Sequence, residues 1–208
     1  MEPIVICTGR QISRDYIEQA LKLDRIVYDD IYQLDIETCM GFYLKNPDIY
    51  IMAVEQDTQK VVGYINFSPV TRKLYAALVS GTVIDTVVTG GQIPRYRRNR
   101  CYRGYFSSIV VHPEYRRQGI AAKMLMCWSD LVCRLAREKN IWFRSIAADA
   151  VNSAGENILS EIGFSLLKDS NHGSRIMTAD FFSDGIVPSG FNREILRIYH
   201  LKKAEGSA

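Results

Sequence analysis

Residues 108–122 combine the features of a phosphate-binding turn. An apolar strand ends at Val111, a short turn carries Arg116 and Arg117, and Gly119 then opens a long helix. At the start of a helix the backbone N–H groups lack partners and the helix dipole is positive, so a phosphate binds well there. Gly119 has no side chain to block the approach of a ligand to the backbone. The pattern indicates a site for a polyanion such as a diphosphate.

Two common nucleotide-binding motifs are excluded by the spacing of this turn. The strand is not followed by the GxGxxG of a dinucleotide-binding fold or by the Gly-Lys-Ser/Thr of a P-loop. The alternative interpretation is a strand–turn–helix junction whose glycine serves packing alone.

The cysteines and histidines show no pattern typical of a metal or disulfide site. Five cysteines form no CxxC pair, and the three histidines lie far apart. We therefore expect no bound metal and no disulfide framework. The N-terminus has no basic region followed by an apolar stretch, and no run approaches the roughly 18 apolar residues of a membrane span. We expect a cytoplasmic protein with no membrane partner.

The composition is that of one soluble globular domain over residues 1–208. Hydrophobic residues make up 47% of the chain and charged residues 24%. The net charge of +3 is too small to indicate a nucleic-acid partner by itself.

The apolar pattern alternates strands and helices, which favours a mixed sheet with helices on both faces. Helices are predicted after a Ser13 cap and over 35–44, 119–140 and 153–162. Strands are predicted over 4–7, 49–54, 61–67, 106–111, 141–148, 174–178 and 194–201, followed by a loose tail over 202–208.

Two motifs resemble those of GCN5-related N-acetyltransferases (GNAT). Residues 111–121 are similar to the acyl-CoA signature of that superfamily, Arg/Gln-x-x-Gly-x-Gly/Ala after a strand ending in Val-x-Pro. Residues 152–164 resemble its second motif, an Asn after the next strand and a helix ending in Gly-Phe. The resemblance covers about residues 4–201, apart from an insertion. It implies an α/β (α+β) fold: a mixed, mostly antiparallel sheet of about seven strands flanked by helices, with a splayed parallel strand pair at the cofactor site.

The resemblance also implies acetyl-CoA as co-substrate. By position, the backbone of Ile109, Val110 and Val111 would pair with the pantetheine, and Asn152 would contact it from the opposite strand with help from Asn157. The pyrophosphate would be held by main-chain N–H groups of Arg116, Arg117, Gln118, Gly119, Ile120, Ala121 and Ala122.

The implied reaction moves an acetyl group directly to a primary amine of a small molecule or protein, in a ternary complex. A lysine-like amine is only about 0.04% neutral at pH 7, so a base is useful. A backbone N–H at a strand bulge, which we place at Val111, would stabilise the oxyanion.

The catalytic positions depart from the family pattern. Leu159 stands where many members have a proton-donating tyrosine. The usual base positions are Ser107 and Tyr105, which are poor bases but could organise a water molecule. Asp149, just after the next strand, is an alternative base, or else a loop residue or cap.

Asp29 and Asp30, beside Tyr28 and Tyr32, could attract a cationic amine to the acceptor side, or form a solvated loop. Coenzyme A is acidic enough at its thiol to leave without a dedicated acid, so Leu159 does not exclude activity.

An insertion over 71–103 holds five arginines in nine residues, with tyrosines interleaved: Arg95, Arg97, Arg98, Arg100 and Arg103. It is either a solvated loop or a lid or edge hairpin that receives an acidic acceptor, the cofactor's ribose phosphate or RNA. We expect acceptor control. An apolar part of the insertion, or the final strand, could also pair two copies into a homodimer. The alternative functions are a CoA-binding sensor without catalysis and an RNA-associated protein.

Overall fold

The fold is built on one seven-stranded sheet with helices on both faces. The computed structural model describes residues 3–28 and 30–206. The strands are β1 (Ile4–Thr8), β2 (Tyr50–Glu55), β3 (Val61–Val70), β4 (Arg100–Val111), β5 (Ile141–Ala150), β6 (Ser165–Asp169) and β7 (Arg175–Ala179). The helices are α1 (Arg14–Val27), α2 (Ile36–Lys45), α3 (Arg72–Val79), α4 (Ile120–Lys139), α5 (Ser153–Ile162) and α6 (Arg193–Ala204). Within the described residues, none of these helices has the length and apolar run needed to cross a bilayer.

The strand order is β1-β2-β3-β4-β5-β7-β6. The pair β4–β5 is parallel, and the other neighbouring strands of the described sheet are antiparallel. The parallel pair needs a crossover connection, which α4 supplies. The prediction of a mixed, mostly antiparallel sheet of about seven strands is confirmed.

Side chains alternate between the two faces of the sheet along its central strands, and helices cover both faces, so both sets of side chains are buried. In β2, Ile51 and Ala53 pack into a core shared with α4, α5 and α6. Their neighbours Tyr50, Met52 and Val54 pack into a second core, on the face covered by α1, α2 and α3. The sheet is thus the wall between two apolar cores.

The predicted helix boundaries rest on side-chain caps. Ser13 Oγ accepts from the Tyr16 N–H at 3.2 Å, and Asn152 Oδ1 accepts from the Gly155 N–H at 2.9 Å. The end of α5 is the left-handed Gly163, with φ of 107°. These local signals were readable in the sequence.

The predicted strand over 194–201 is wrong, because this segment lies in α6. Its apolar residues Ile195, Leu196, Ile198 and Tyr199 are all buried, at the spacing that places them on one face of a helix. The Tyr199 hydroxyl accepts from the Phe143 N–H at 3.0 Å and fixes α6 against β5. The helix continues to Ala204, so the loose tail predicted from residue 202 is also corrected. Residues 194–201, being helical, cannot pair two copies as a strand.

Strand β6 was missed by the sequence pattern. All five of its residues are exposed, so it shows no alternation of buried and exposed positions. It is held at the edge of the sheet by antiparallel pairing with β7.

The insertion differs from the predicted lid or edge hairpin. It begins with α3, which Thr71 caps by accepting from the Leu74 N–H at 3.3 Å. Arg100 and Arg103 already belong to β4, where they pair with β5. The segment between β3 and β4 therefore covers residues 71–99.

Candidate acyl-CoA cleft and acceptor pocket

The parallel strands β4 and β5 separate before they end. Their pairing runs from Arg100 opposite Ile141 to Phe106 opposite Ala148, whereas β4 continues to Val111. A cleft of about 620 Å³ occupies the space beyond the last pair, bordered by the ends of both strands and the first turns of α4 and α5. The splayed pair has the form that a ligand inserted between two strands requires.

Alternate backbone groups of β4 face this cleft. His112 donates its N–H to the Val62 carbonyl at 2.8 Å, and the register with β3 is regular from there to Ser108. Because hydrogen-bonded and non-hydrogen-bonded pairs alternate in antiparallel strands, Ile109 and Val111 turn their N–H and C=O groups away from β3, toward the cleft. An extended chain placed in the cleft can pair with them.

The turn before α4 presents its backbone to the same cleft. Arg117 and Gly119 are both left-handed, with φ of 61° and 74°, and α4 begins at Ile120. Left-handed residues in a turn just before a helix can direct backbone N–H groups toward a bound anion, and the helix dipole adds to this attraction. A Cβ at Gly119 would meet no other atom within 4 Å, so the space in front of its backbone is open. A diphosphate fits this site.

Most of the predicted cofactor residues line the cleft. They are Ile109, Val110, Val111, Arg116, Arg117, Gly119, Ile120, Ala121, Ala122 and Asn152. Gln118 and Asn157 are exposed and lie outside its lining. The Asn152 side chain is engaged as the cap of α5, and Arg116 Nε donates to the Val111 carbonyl at 3.2 Å.

A smaller pocket of about 70 Å³ meets the cleft from the opposite face of the sheet. It lies among α1, α2, β3, β4 and the 71–99 insertion, and its walls carry three carboxyl groups, those of Asp24, Asp85 and Asp149. No Lys or Arg is among the described residues that line it. The pocket suits a cationic ligand, and we refer to it as the acceptor pocket.

Asp85 is a residue that the sequence analysis missed. Its Oδ2 accepts from Ser107 Oγ at 2.7 Å, and the Tyr105 hydroxyl also hydrogen bonds to it, so both predicted catalytic residues converge on this carboxylate. Burial, and then the charge of Asp149, raise the pKa of Asp85 to about 6 against these hydrogen bonds. A signal was present: Asp85 is the one acidic residue between Asp57 and Glu114 in the sequence, within an apolar run.

Tyr105 itself cannot serve as a base near neutral pH. It is buried, and burial raises its pKa well above 10. Its role is that of a hydroxyl donor to Asp85.

Asp24, on α1, is the second carboxyl group that was missed. It is 7% exposed and accepts from the Tyr64 hydroxyl. Burial raises its pKa to about 7, with a contribution from the charge of Asp85.

Asp149 lies where the pocket and the cleft meet. Its Oδ2 lies 2.8 Å from His172 Nε2, and a carboxylate can only accept, so His172 donates. The Asp149 side chain is 10% exposed and its Oδ1 has no hydrogen-bond partner. The His172 ring also contacts Tyr32 edge-on, at 6.5 Å between centroids, which joins the β6–β7 turn to the segment after α1.

Five residues border both compartments and form a junction: Tyr28, Ser107, Ser108, Asp149 and Val151. Burial raises the pKa of Tyr28 above 10, and its hydroxyl hydrogen bonds to the Ile109 backbone and to Ser108. Tyr28 is therefore a neutral hydroxyl at the junction. Leu159 is a buried part of the cleft wall and offers no proton.

One expectation about the site needs correction, and another concerns residues that the structure describes only in part. The bulge of β4 is at Ser107, between the pairs Asn66–Ser108 and Phe67–Phe106, and not at Val111. Asp29 lies outside the described residues, and Asp30 begins a short 3-10 turn that ends at Tyr32.

The arginine cluster lies at the other end of β4. Arg100 pairs with Ile141 at the start of both strands, about 36 Å along an extended chain from Val111. Arg103 packs over the Tyr75 ring, at 5.2 Å from its centroid. None of the five arginines is among the described residues that line the acceptor pocket, and the expected control of the acceptor by them stays a prediction. The insertion lines the acceptor pocket through Asp85, Val88 and Ile93 instead.

Known structures share this architecture at low sequence identity. The NatC complex bound to Gag peptide and CoA is 19% identical, with a TM-score of 0.59 over 86% of this chain and 99% of that chain. The loading GNATL domain of CurA from Lyngbya majuscula is 12% identical, with a TM-score of 0.61 over 86% and 98%. A mosquito arylalkylamine N-acetyltransferase like 5b is 12% identical, with a TM-score of 0.56 over 86% and 100%. No curated protein matches the chain significantly.

The family model gives the assignment. The model of the acetyltransferase (GNAT) family matches residues 13–141, a stretch that includes the phosphate-binding turn and more than half of the chain. The resemblance inferred from the two motifs is confirmed by this match and by the shared fold. The chain belongs to the acetyltransferase (GNAT) family.

Proposed function

We propose that this enzyme transfers an acetyl group from acetyl-CoA directly to a primary amine held in the acceptor pocket. The observation that carries the proposal is the junction, where a cleft fitted to a diphosphate and an extended chain opens onto a pocket lined by carboxyl groups. An amine in that pocket would face the end of a chain bound between β4 and β5.

The residues of the cleft fit acetyl-CoA. The left-handed turn at Arg117 and Gly119, with the start of α4, would hold the diphosphate, and Ile109 and Val111 would pair with the pantetheine. When bound, this co-substrate supplies the acetyl thioester and a thiolate leaving group. The Tyr28 hydroxyl, which hydrogen bonds to the Ile109 backbone at the junction, would stabilise negative charge on the thioester oxygen.

Asp149 would accept the proton of the ammonium. Its free Oδ1 is buried at the junction, and His172 holds the other oxygen in place. A lysine-like amine is only about 0.04% neutral at pH 7, so forming the neutral amine adds several kcal/mol to the barrier. A base at this position lowers that contribution.

Tyr28 would take the place of the missing tyrosine. Its neutral hydroxyl borders both compartments and contacts the Ile109 backbone, whereas Leu159 contributes only an apolar wall. A hydroxyl donor at this point could return a proton to the sulfur or strengthen the donors around Ile109.

The structural neighbours support an amine acceptor as a class without choosing among amines. One of them is bound to Gag peptide and CoA, and another is described as an arylalkylamine N-acetyltransferase. The residues that line the pocket of this chain must therefore determine which amine it accepts.

The test has two steps. Calorimetry with acetyl-CoA should show binding, and thiol release should then be measured across alkylamines, arylalkylamines and peptides, with Asp149→Asn as the inactive control. Binding followed by amine-dependent thiol release supports the proposal. Binding with no release for any amine would favour the sensor function, and no binding would overturn both.

A further inference from the structure

The acceptor pocket holds more carboxyl groups than one reacting amine requires. Asp149 borders both compartments, whereas Asp24 and Asp85 border the acceptor pocket alone. The carboxyl groups are therefore divided between a reacting end and a distal end.

The reacting end has no Lys or Arg among the described residues that line it, and His172 contacts only Oδ2 of Asp149. The Asp149 side chain is 10% exposed, and its Oδ1 is buried without a hydrogen bond. Buried charges in proteins are normally paired, so an unpartnered carboxylate oxygen in a pocket wall indicates a cationic ligand.

The distal end repeats this arrangement. Asp24 accepts from the Tyr64 hydroxyl and Asp85 from Ser107 and Tyr105, all of them neutral donors. Tyrosine rings surround these carboxyl groups, and aromatic faces favour an ammonium group. The rings that line the pocket are those of Tyr28, Tyr32, Tyr50, Tyr64 and Tyr105.

The pocket is small. Its volume of about 70 Å³ corresponds to roughly five water-sized spheres. Such a space holds a short aliphatic stem. Beside the pocket, the contact between the Tyr32 and His172 rings joins the segment after α1 to the β6–β7 turn.

On the basis of the proposed function, we propose that the acceptor is a short α,ω-diamine: its reacting nitrogen lies at Asp149 and its distal ammonium lies between Asp24 and Asp85. The nitrogen lone pair forms the carbon–nitrogen bond as the carbon–sulfur bond breaks. The reacting ammonium gives up two protons, of which one ends on the sulfur of coenzyme A and one leaves through Asp149 to solvent. The distal ammonium keeps its charge.

The experiment compares kcat/KM for α,ω-diamines, from ethylenediamine to hexamethylenediamine, with kcat/KM for n-alkyl monoamines of the same length and for short peptides. We expect one or two diamines of intermediate length to exceed the matched monoamine by about tenfold or more, mainly through KM. Asp24→Asn should bring the diamine-to-monoamine ratio close to one. Asp85→Asn should do the same and serves if the first variant does not fold. Asp130→Asn, an exposed carboxylate on α4, is the matched control and should keep the ratio.

The outcomes separate this inference from the proposed function. Equal use of diamines and monoamines, a preference that survives both variants, or preferred acetylation of peptides would overturn the diamine assignment and leave amine acetylation standing. Failure of every amine in the presence of bound acetyl-CoA would overturn both.

Discussion

At the scale of single residues, the proposed function assigns the removal of a proton from the acceptor to the pair Asp149–His172. A carboxylate with one oxygen fixed by a donor and the other free has a defined direction in which to accept. His172 does not border the pocket and acts through Asp149, so it is a positioning residue.

We expect Asp149→Asn to lower kcat by about 100-fold, because the amide cannot take a proton. His172→Ala should lower kcat by about tenfold and leave KM nearly unchanged, since Asp149 loses the donor that fixes its Oδ2. The double variant should be no slower than Asp149→Asn alone, because the two residues act as a unit.

Steady-state kinetics, together with acetyl-CoA titrations that should show unchanged Kd, measure these effects. His200→Ala is the control, since His200 lies on α6 outside both compartments. If the losses of the two single variants added up in the double variant, Asp149 and His172 would not act as one unit.

Asp24 shows the energetic cost of burying a carboxyl group in the wall of the acceptor pocket. Its folded pKa of about 7 exceeds the usual 3.8, so between pH 4 and 7 the folded state binds more protons than the unfolded state. The free energy of unfolding therefore falls as the pH rises through this window. Above about pH 7 the carboxyl group is ionised in the folded state, and its burial then destabilises the fold by the full amount.

We predict that Asp24→Asn stabilises the protein at pH 8 by roughly 1–3 kcal/mol relative to wild type, and by much less at pH 5. Urea unfolding at both pH values measures the difference. An equal effect at the two pH values would show that the titration of Asp24 is not its cause.

The residues of the site were predictable to different degrees. Ser107, Tyr105 and Asp149 could be named because they lie next to recognisable strand ends. Asp24 and His172 could not, because they come from α1 and the β6–β7 turn and meet the pocket only through the tertiary fold. The free oxygen of Asp149 is likewise a property of packing.

At the scale of elements, the turn before α4 is the part that local sequence specified best. An apolar strand, a left-handed glycine and a helix with small residues in its first turn are all encoded within residues 106–122. Strand β6 and helix α6 were not, because exposed pairing at a sheet edge and packing against α4 are decided by distant partners.

We expect Gly119→Ala to raise the Kd of acetyl-CoA by about tenfold. A Cβ there clashes with no protein atom, so it would occupy the open space meant for the diphosphate, and the left-handed backbone would cost about 1 kcal/mol more. Calorimetry measures the Kd. Gly206→Ala is a matched control, since that glycine has φ of 70° and no neighbour within 4 Å but lies far along the chain, after α6. Unchanged affinity in Gly119→Ala would contradict the role of this turn.

At the scale of the whole molecule, the sheet separates the two ligands and β4 joins them. The acceptor pocket is built on the face of α1, α2 and the insertion, and the cleft lies at the start of α4 and α5. In the proposed function two ligands would therefore be bound at once, with their reacting ends at Ser107, Ser108 and Asp149.

This arrangement predicts a ternary-complex mechanism without an acyl-enzyme. The one cysteine among the described residues of the two compartments is Cys39, in the acceptor pocket, and burial raises its pKa to about 11, so it remains a thiol. Double-reciprocal plots with both substrates varied should intersect, and Cys39→Ser should keep that pattern. Parallel lines in the wild type that become intersecting in Cys39→Ser would instead indicate a covalent acyl-enzyme on this thiol. In that case the junction would have to open toward α2 during turnover.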